Sequence, residues 1–477
     1  MTSPVRGEHD ERTVEDRRDW VGGEAPFVAK GGPIPKRPNI VFIFADDLGW
    51  GDLGCYGSLH NNTPHLDRLA SQGVRFSHAY AASATCSPTR IAFYTGRYPG
   101  RLIAGLEEPL TTRDEHHGIP HEHSTLPSLL RDSGYRTAMF GKWHCGWLPW
   151  FSPLRIGFDT FFGNLDGAMD YFSHIDTAGQ HDLYEGETEV HEVGYYTELV
   201  SERAADFIRS QGDEPFYLQV NYTAPHWPWE GPNDQAVSER VTQAQLKGVR
   251  TGIFHYEGGS LATYQTMVAA LDDGVARVLH ALEETGQADN TIVIFTSDNG
   301  GERYAFLWPF VGEKGDLEEG GIRVPTVMRW PAALAGGMVS DAPIGTMDWT
   351  ATLLAAAGVS PDDRYPLDGI NRLPWLITGA PLDNQPLFWR TRTQGAVRDG
   401  RWKLLFDREA KQQWSDETPF VGPRARLFDI TVDGREWADL SYDYPDVREN
   451  LLERWHAFDQ ALLPYPTAVT EPLGEAD

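Results

Sequence analysis

The chain has 477 residues, 40% apolar and 23% charged, with 69 acidic against 41 basic side chains and a formal net charge of -28. That length suggests about two to four domains, or one large domain with an appendage, and the composition argues against whole-chain disorder. The acidity excludes a uniformly basic nucleic-acid binder and disfavours a polybasic membrane-surface protein, and no apolar run is long enough to span a bilayer.

Residues 1–37 are polar, Gly/Pro-rich and weakly patterned, and read as an N-terminal arm or tail. Met1 to Trp20 lacks the apolar stretch of a secretory signal. From Asn39 to Ala45 the chain is continuously apolar, as in a strand buried on both faces of a parallel sheet. Pro64–Gln72 reads as a helix behind Thr63, and Val74–Tyr80 as a strand. A helix over Leu126–Arg131 stops at Ser133-Gly134, and a strand over Tyr135–Phe140 follows. Pro215–Asn221 is a further strand. Met267, Leu271, Val275, Val278 and Leu282 recur at helical spacing within Leu261–Glu284, and Thr291–Phe295 (Thr-Ile-Val-Ile-Phe) reads as a second strongly buried strand. This alternation predicts an α/β domain over 38–370, with a large, mixed, mainly parallel sheet between helices. Short strands at 388–391, 394–398, 402–406 and 427–430, then a helix over 447–463, predict a smaller α+β C-terminal domain over 371–477 with an antiparallel sheet.

Polar groups stand at the carboxyl ends of the apolar strands. Asp46-Asp47 follows the first, Asp298-Asn299 the Thr291 strand, Lys142 and His144 the Tyr135 strand, and His226 the Pro215 strand. One such end is usually a solvated turn. Four of complementary type on parallel neighbours converge on one crevice, where open α/β sheets bind ligands. Asp46, Asp47, Asp298 and Asn299 form an all-oxygen set suited to Ca²⁺ or Mg²⁺, and no Cys/His spacing suggests zinc.

The second element is Cys86-Ser87-Pro88-Thr89-Arg90. Pro88 suits the first turn of a helix, which puts Cys86 at a helix N-terminus, where free N–H groups favour an anion. Cys86 reads as a buried small residue or as a thiolate nucleophile activated by the helix end. Arg90 lies one turn on. With Cys55 and Cys145 the cysteines number three, an odd and sparse set that argues against a disulfide scaffold and fits a reducing compartment.

Taken together these motifs resemble the formylglycine-dependent sulfatases of the alkaline-phosphatase-like superfamily. Cys86-x-Pro88-x-Arg90 matches the signature, and Thr95-Gly96-Arg97-Tyr98-Pro99 its continuation. Pro38-Asn39-Ile40-Val41 leading to Asp46-Asp47, Gly141-Lys142-Trp143-His144, Ala224-Pro225-His226, Ser297-Asp298-Asn299-Gly300, Lys314-Gly315 and Glu319 to Pro325 follow in order. The resemblance implies that a maturation enzyme oxidises Cys86 to formylglycine. The hydrate of that aldehyde, a gem-diol, is then the nucleophile and carries a covalent sulfated intermediate. It implies Ca²⁺, with Mg²⁺ or Mn²⁺ as alternatives, held by Asp46, Asp47, Asp298, Asn299 and the matured Cys86. Arg90 and Lys142 would stabilise the alkoxide. His144 would be the base that expels sulfate, and His226 and Lys314 would hold the sulfate and protonate the leaving oxygen. Only seven lysines occur in the chain, and two of them fall at these positions.

The expected activity is hydrolysis of aryl or small saccharide sulfates, closest to the arylsulfatase and N-acetylgalactosamine-6-sulfatase types. A phosphonate monoester or phosphodiester hydrolase is the alternative, and a non-catalytic binder of sulfated ligands ranks last. Partners expected are a small sulfate ester and the maturation enzyme, with no nucleic acid and no membrane, and with room for a homo-oligomer. A soluble, bacterial-type, cytoplasmic enzyme is expected. The acidic surface predicts a preference for small sulfate esters over highly sulfated polymers. Two details stay open. Asp166, Gly167 and Asp170 stand where some relatives place a sulfate donor, and Trp143, Trp147, Trp150, Trp227 and Trp229 are candidates for a leaving-group platform.

Overall fold

The computed structural model describes residues 37–249, 252–256, 258–383, 385–408 and 425–466. The arm expected over 1–37 lies outside them except for Arg37. The Asn39–Ala45 strand is the centre of a ten-stranded sheet. It pairs in parallel with Thr291–Ser297 on one side and Phe216–Asn221 on the other, and Arg136–Gly141 and Thr160–Gly163 continue the parallel run. Thr326–Arg329 then adds antiparallel to Thr291–Ser297, with Val74–Phe76 beyond it.

The central strand is apolar throughout because both of its faces are covered. Ile40, Phe42 and Phe44 point into a core shared with the helices Cys86–Thr95, Leu126–Asp132 and Thr346–Ala357. Val41, Ile43 and Ala45 point into a second core with Pro64–Ser71, Tyr196–Ser210 and Leu261–Glu284. Period-two side-chain alternation feeds both cores, so after Asn39 at its start no polar position is left along the strand. The long helix spans Leu261–Glu284, as its periodicity requires, and is capped by Ser260, whose hydroxyl accepts from the Thr263 N–H.

The expected strand over 74–80 is two strands. Val74–Phe76 stays in the large sheet, whereas Ala79–Tyr80 pairs in parallel with Ile344–Gly345. The chain turns at Ser77-His78, where the Ser77 N–H and hydroxyl are both drawn to the Ser340 carbonyl. The helix Tyr196–Ser210, not among the elements expected from the sequence, buries Tyr196, Val200, Ala204 and Ile208 along one stripe in the second core.

A four-stranded antiparallel sheet follows, Leu387–Arg390, Gln394–Asp399, Trp402–Asp407 and Ala425–Asp429, with the helix Pro445–Gln460 on it. Buried charges join this sheet to the large domain. Lys403 Nζ lies 2.9 Å from Glu319 and 2.8 Å from Glu436. Glu319 also accepts from the Tyr80 hydroxyl and pairs with Arg323. Burial alone would raise the Glu319 carboxyl, but Lys403 and Arg323 bring it down to about 2. No helix among the described residues is long and apolar enough to cross a membrane.

Removing one member of such a network strands the others without water or a counter-charge. Lys403→Met is expected to lower stability by about 3–5 kcal/mol, read as a fall in the urea midpoint; an unchanged midpoint would show that the network holds nothing together.

Candidate active site

The parallel strands deliver their polar ends to one pocket. Asp46 and Asp47 leave Asn39–Ala45, Asp298 and Asn299 leave Thr291–Ser297, and Lys142 and His144 leave Arg136–Gly141. His226 follows Phe216–Asn221 by way of Tyr222 to Pro225. Cys86 opens the helix Cys86–Thr95, with Thr85 at the N-cap, and Arg90 stands one turn further along. Lys314 arrives on the loop after Asn299, tied back by its N–H to the Gly301 carbonyl at 3.1 Å. Every catalytic and metal-ligand candidate selected from sequence reaches this pocket, and all of them are buried except Lys314, whose side chain is 12% exposed.

The charges are paired inside the pocket. Arg90 donates from Nε to Asp298 at 2.9 Å and from Nη1 to the Lys142 carbonyl at 3.1 Å. Lys142 bonds to Asp46, and Lys314 Nζ lies 2.6 Å from Asp47. Three cations thus face three carboxylates. Burial and then the neighbouring Asp46 still push Asp298 up to about 6, against Arg90 and Lys142. Two oxygens remain without a hydrogen-bond partner, Asp46 Oδ1 and Asn299 Oδ1. Donor atoms of Asp46, Cys86 and Asp298 lie within 4.8 Å of one another, as do those of Asp46, Asp47 and His226. Orphaned buried oxygens beside a strained carboxylate fit a hard divalent cation held by Asp46, Asp47, Asp298 and Asn299.

His144 is aimed by its surroundings. Its Nε2 lies 2.9 Å from the Leu110 carbonyl, an acceptor only, so Nε2 carries the proton. Nδ1 then presents a lone pair to Cys86 Sγ at 3.3 Å. Burial and then Lys142 hold the His144 pKa well below its ordinary value, so the ring is a neutral base. His226 is fixed by its Nδ1–H, which donates to the Trp227 carbonyl at 2.7 Å, and leaves Nε2 3.5 Å from Asp47. Burial and Lys314 keep it neutral as well. Asp47 and His144 sit at φ of 61° and 51°, a left-handed conformation that non-glycine residues adopt at a cost, here at the pocket.

The Cys86 thiol is pushed up by burial despite Lys142 and Lys314. The thiolate reading of the sequence therefore gains no support from the pocket as it stands, and the helix end alone does not ionise the sulfur.

The open details resolve into packing. Asp166 pairs with Arg113 at 3.0 Å and accepts from Thr177, and Asp170 accepts from Ser238 and the N–H groups of Phe172 and Ser173. Both carboxylates are thus engaged by neighbouring residues of the protein. Gly167 lies flat against His144; a Cβ there would stand 2.5 Å from Cε1 of the ring. The five tryptophans do not form one platform. Trp143 and Trp229 are core residues, Trp147 is buried beneath Arg113, Trp150 is exposed on the surface, and only Trp227 lies on His226, ring centroids 4.2 Å apart. Sequence reasoning missed the Leu110 carbonyl and Gly167, neither of which has a side chain to announce it, and Glu302, 3.8 Å from Lys314.

A buried cluster of this kind on a mainly parallel sheet, with a small antiparallel domain behind it, is the architecture of the alkaline-phosphatase-like hydrolases. Within them, the family model for sulfatases matches residues 38–359. Mouse (Mus musculus) arylsulfatase J is 32% identical, over 90% of this chain and 77% of that protein. The N-acetylgalactosamine-6-sulfatase of Rattus norvegicus is 34% identical, over 79% and 72%. The crystal structure of Ps i-CgsB in complex with k-i-k-neocarrahexaose superposes with a TM-score of 0.78 at 31% identity, covering 91% of this chain and 94% of that one. The chain belongs to the sulfatase family, and its members are sulfuric-ester hydrolases. The phosphonate monoester hydrolase of Agrobacterium radiobacter shares the fold, with a TM-score of 0.59 at 21% identity over 89% of this chain and 96% of that one.

Because Gly167 leaves room for the His144 ring, Gly167→Ala is expected to turn that ring and lower kcat on an aryl sulfate by about 10²-fold, with little change in thermal midpoint. Unchanged kcat would show that the ring tolerates displacement.

Proposed function

We propose that the protein hydrolyses sulfate monoesters of aryl alcohols or small saccharides to the alcohol and inorganic sulfate, with Cys86 matured to formylglycine. The observation that carries this reading is buried Cys86 facing the lone pair of a histidine whose tautomer is fixed, among the buried cations Arg90 and Lys142 and the nearly buried Lys314. Maturation requires a formylglycine-generating partner enzyme. The hydrated aldehyde would supply an oxygen nucleophile where the thiol now stands. Ca²⁺, with Mg²⁺ or Mn²⁺ as alternatives, would supply Lewis-acid polarisation and charge neutralisation from Asp46, Asp47, Asp298 and Asn299.

The chain's own groups divide the remaining work. Arg90 and Lys142 stabilise negative charge that develops at position 86. Nδ1 of His144 takes the proton at position 86 whose removal releases sulfate, and the Leu110 carbonyl, hydrogen-bonded to Nε2–H, supports the resulting imidazolium. Lys314 Nζ and His226 Nε2 face the substrate side and hold sulfate oxygens. An arriving anion offsets the desolvation and the Lys314 charge that keep His226 neutral, so His226 is able to carry the proton for the leaving oxygen. Arylsulfatase J and N-acetylgalactosamine-6-sulfatase, by their names, act on aryl and amino-sugar esters, which supports a single-ring alcohol as the leaving group. The net charge of -28 favours small monosulfates over long polyanions.

Protein produced with a maturation enzyme should carry an aldehyde at position 86 in peptide mass analysis, and Cys86→Ala should abolish turnover without lowering the thermal midpoint. Full activity of a protein that retains the thiol would overturn the mechanism. Ca²⁺ at about 100 times its dissociation constant should stabilise the wild type by about 2.7 kcal/mol, seen as a higher thermal midpoint. Asp298→Asn should erase that rise; an equal rise in the variant would move the cation elsewhere.

A further inference from the structure

Beside the proposed proton donor, the chain builds an aromatic strip that the sulfate chemistry does not use. Trp227 packs on His226 at 4.2 Å, and Lys314 Nζ lies 5.9 Å from the same indole centroid. Phe254 follows at 4.7 Å from Trp227, and Tyr256 at 5.6 Å from Phe254, the last two rings being parallel to within 5°. Both steps are ordinary ring-to-ring spacings. The strip therefore starts at the groups that face the leaving oxygen and runs outward to Tyr256, which is 62% exposed.

The segment that carries it is held from below. Ile253 is fully buried with Ala168, Ile175 and Val241, a small cluster on which Trp227 also packs. The Ile253 N–H donates to the Gln245 side chain at 3.2 Å, and Gln245 in turn donates to the Thr177 carbonyl at 2.6 Å. The Tyr304 hydroxyl donates to the Gly258 carbonyl at 3.0 Å on the far side. Ile253 thus anchors the chain, and Phe254 and Tyr256, two residues apart, lie on the same side of it. Tyr256, 62% exposed and parallel to Phe254, thus leaves a ring face at the outer end of the strip on which a further ring could stack.

We propose that Trp227, Phe254 and Tyr256 form the leaving-group subsite, which takes an alcohol built on a ring with an apolar face, aryl or pyranose, stacked along the strip. The proposal rests on the hydrolase reading above, because that reading places the departing oxygen at His226 and Lys314. Affinity for the ring then comes from the strip, and affinity for the sulfate from the charged pocket. The two are separable in a test, since Phe254 and Tyr256 reach His226 only through Trp227 in the ring contacts of the described residues.

The test uses the full chain in two forms. In matured enzyme, Phe254→Ala and Tyr256→Ala should each raise KM for 4-nitrophenyl sulfate by about 3- to 10-fold, with kcat nearly unchanged. The inhibition constant of inorganic sulfate, which fills the charged pocket alone, should not move. A monosaccharide 6-sulfate assayed in parallel distinguishes the sources: a larger KM rise for one substrate assigns the strip to aryl or to sugar rings. In the Cys86→Ala background, calorimetric titration of 4-nitrophenyl sulfate should show the same loss without turnover. Unchanged KM in both variants, or an equal loss for inorganic sulfate, would overturn the subsite. Failure of matured wild type to hydrolyse any ester, with strip-dependent binding retained in Cys86→Ala, would sink the hydrolase reading and leave the strip standing. No binding at all in that background would overturn the strip.

Discussion

Six ionised side chains share one pocket from which water is nearly excluded, and the rest of the fold is arranged so that they can. Asp46, Asp47 and Asp298 would each be expensive to bury alone, as would Arg90, Lys142 and Lys314. Parallel strands solve the placement problem, because neighbours in register end at the same edge and aim their next residues into the same space. Opposite charges then arrive from different strands: Asp46 from the centre meets Lys142 from two strands away, and Asp298 meets Arg90 from the helix below. The pairing consumes the formal charges, three against three, yet Asp298 stays raised and two oxygens stay unpartnered. A divalent cation on those oxygens would release the three cations toward an anion, which is how a pocket inside a chain of net charge -28 becomes attractive to a sulfate ester. Beyond about 8 Å the acidic exterior is screened at physiological salt, so the local balance decides.

The same requirement explains which parts could be read before any coordinates. A strand covered on both faces is mostly apolar, so the runs at 40–45 and 292–295 stood out, and the polar residues gathered after several such strands pointed to the site. The Leu261–Glu284 helix was legible for the related reason that one stripe of it faces the second core. The split at Ser77-His78 was not legible, because both halves are apolar and only the partner strands differ. The helix Leu373–Thr378, six residues long, is too short to show a helical period, yet Leu376 and Ile377 pack in the first core with Leu373 and Trp375 against it.

Within the pocket, side chains with strong chemistry were legible and their supports were not. His144 was evident as a candidate, but its tautomer depends on a backbone oxygen at Leu110, and its ring position on the absence of a side chain at Gly167. Sequence carries no mark for either, since any residue has a carbonyl and glycine serves many purposes. The tryptophans were over-read for the converse reason. Trp143 and Trp229 occur near the motifs because large apolar residues fill the cores that hold the motifs in place, and of the five only Trp227 packs on His226.

The cysteine is the residue whose meaning changes most with its surroundings. At a helix N-terminus and beside two lysines, a thiol would ordinarily ionise. Here burial outweighs both, so the sulfur is held protonated. It is also the wrong donor for its neighbours, since Asp46, Asp47, Asp298 and Asn299 offer hard oxygens suited to Ca²⁺ or Mg²⁺, and a soft sulfur adds little to such a set. An oxygen function at position 86 would remove both mismatches at once. It would present a hard atom to the cation site and an O–H to the His144 lone pair already aimed at that position. With a cation bound as proposed, the donors around position 86 would match an oxygen function there more closely than the encoded thiol.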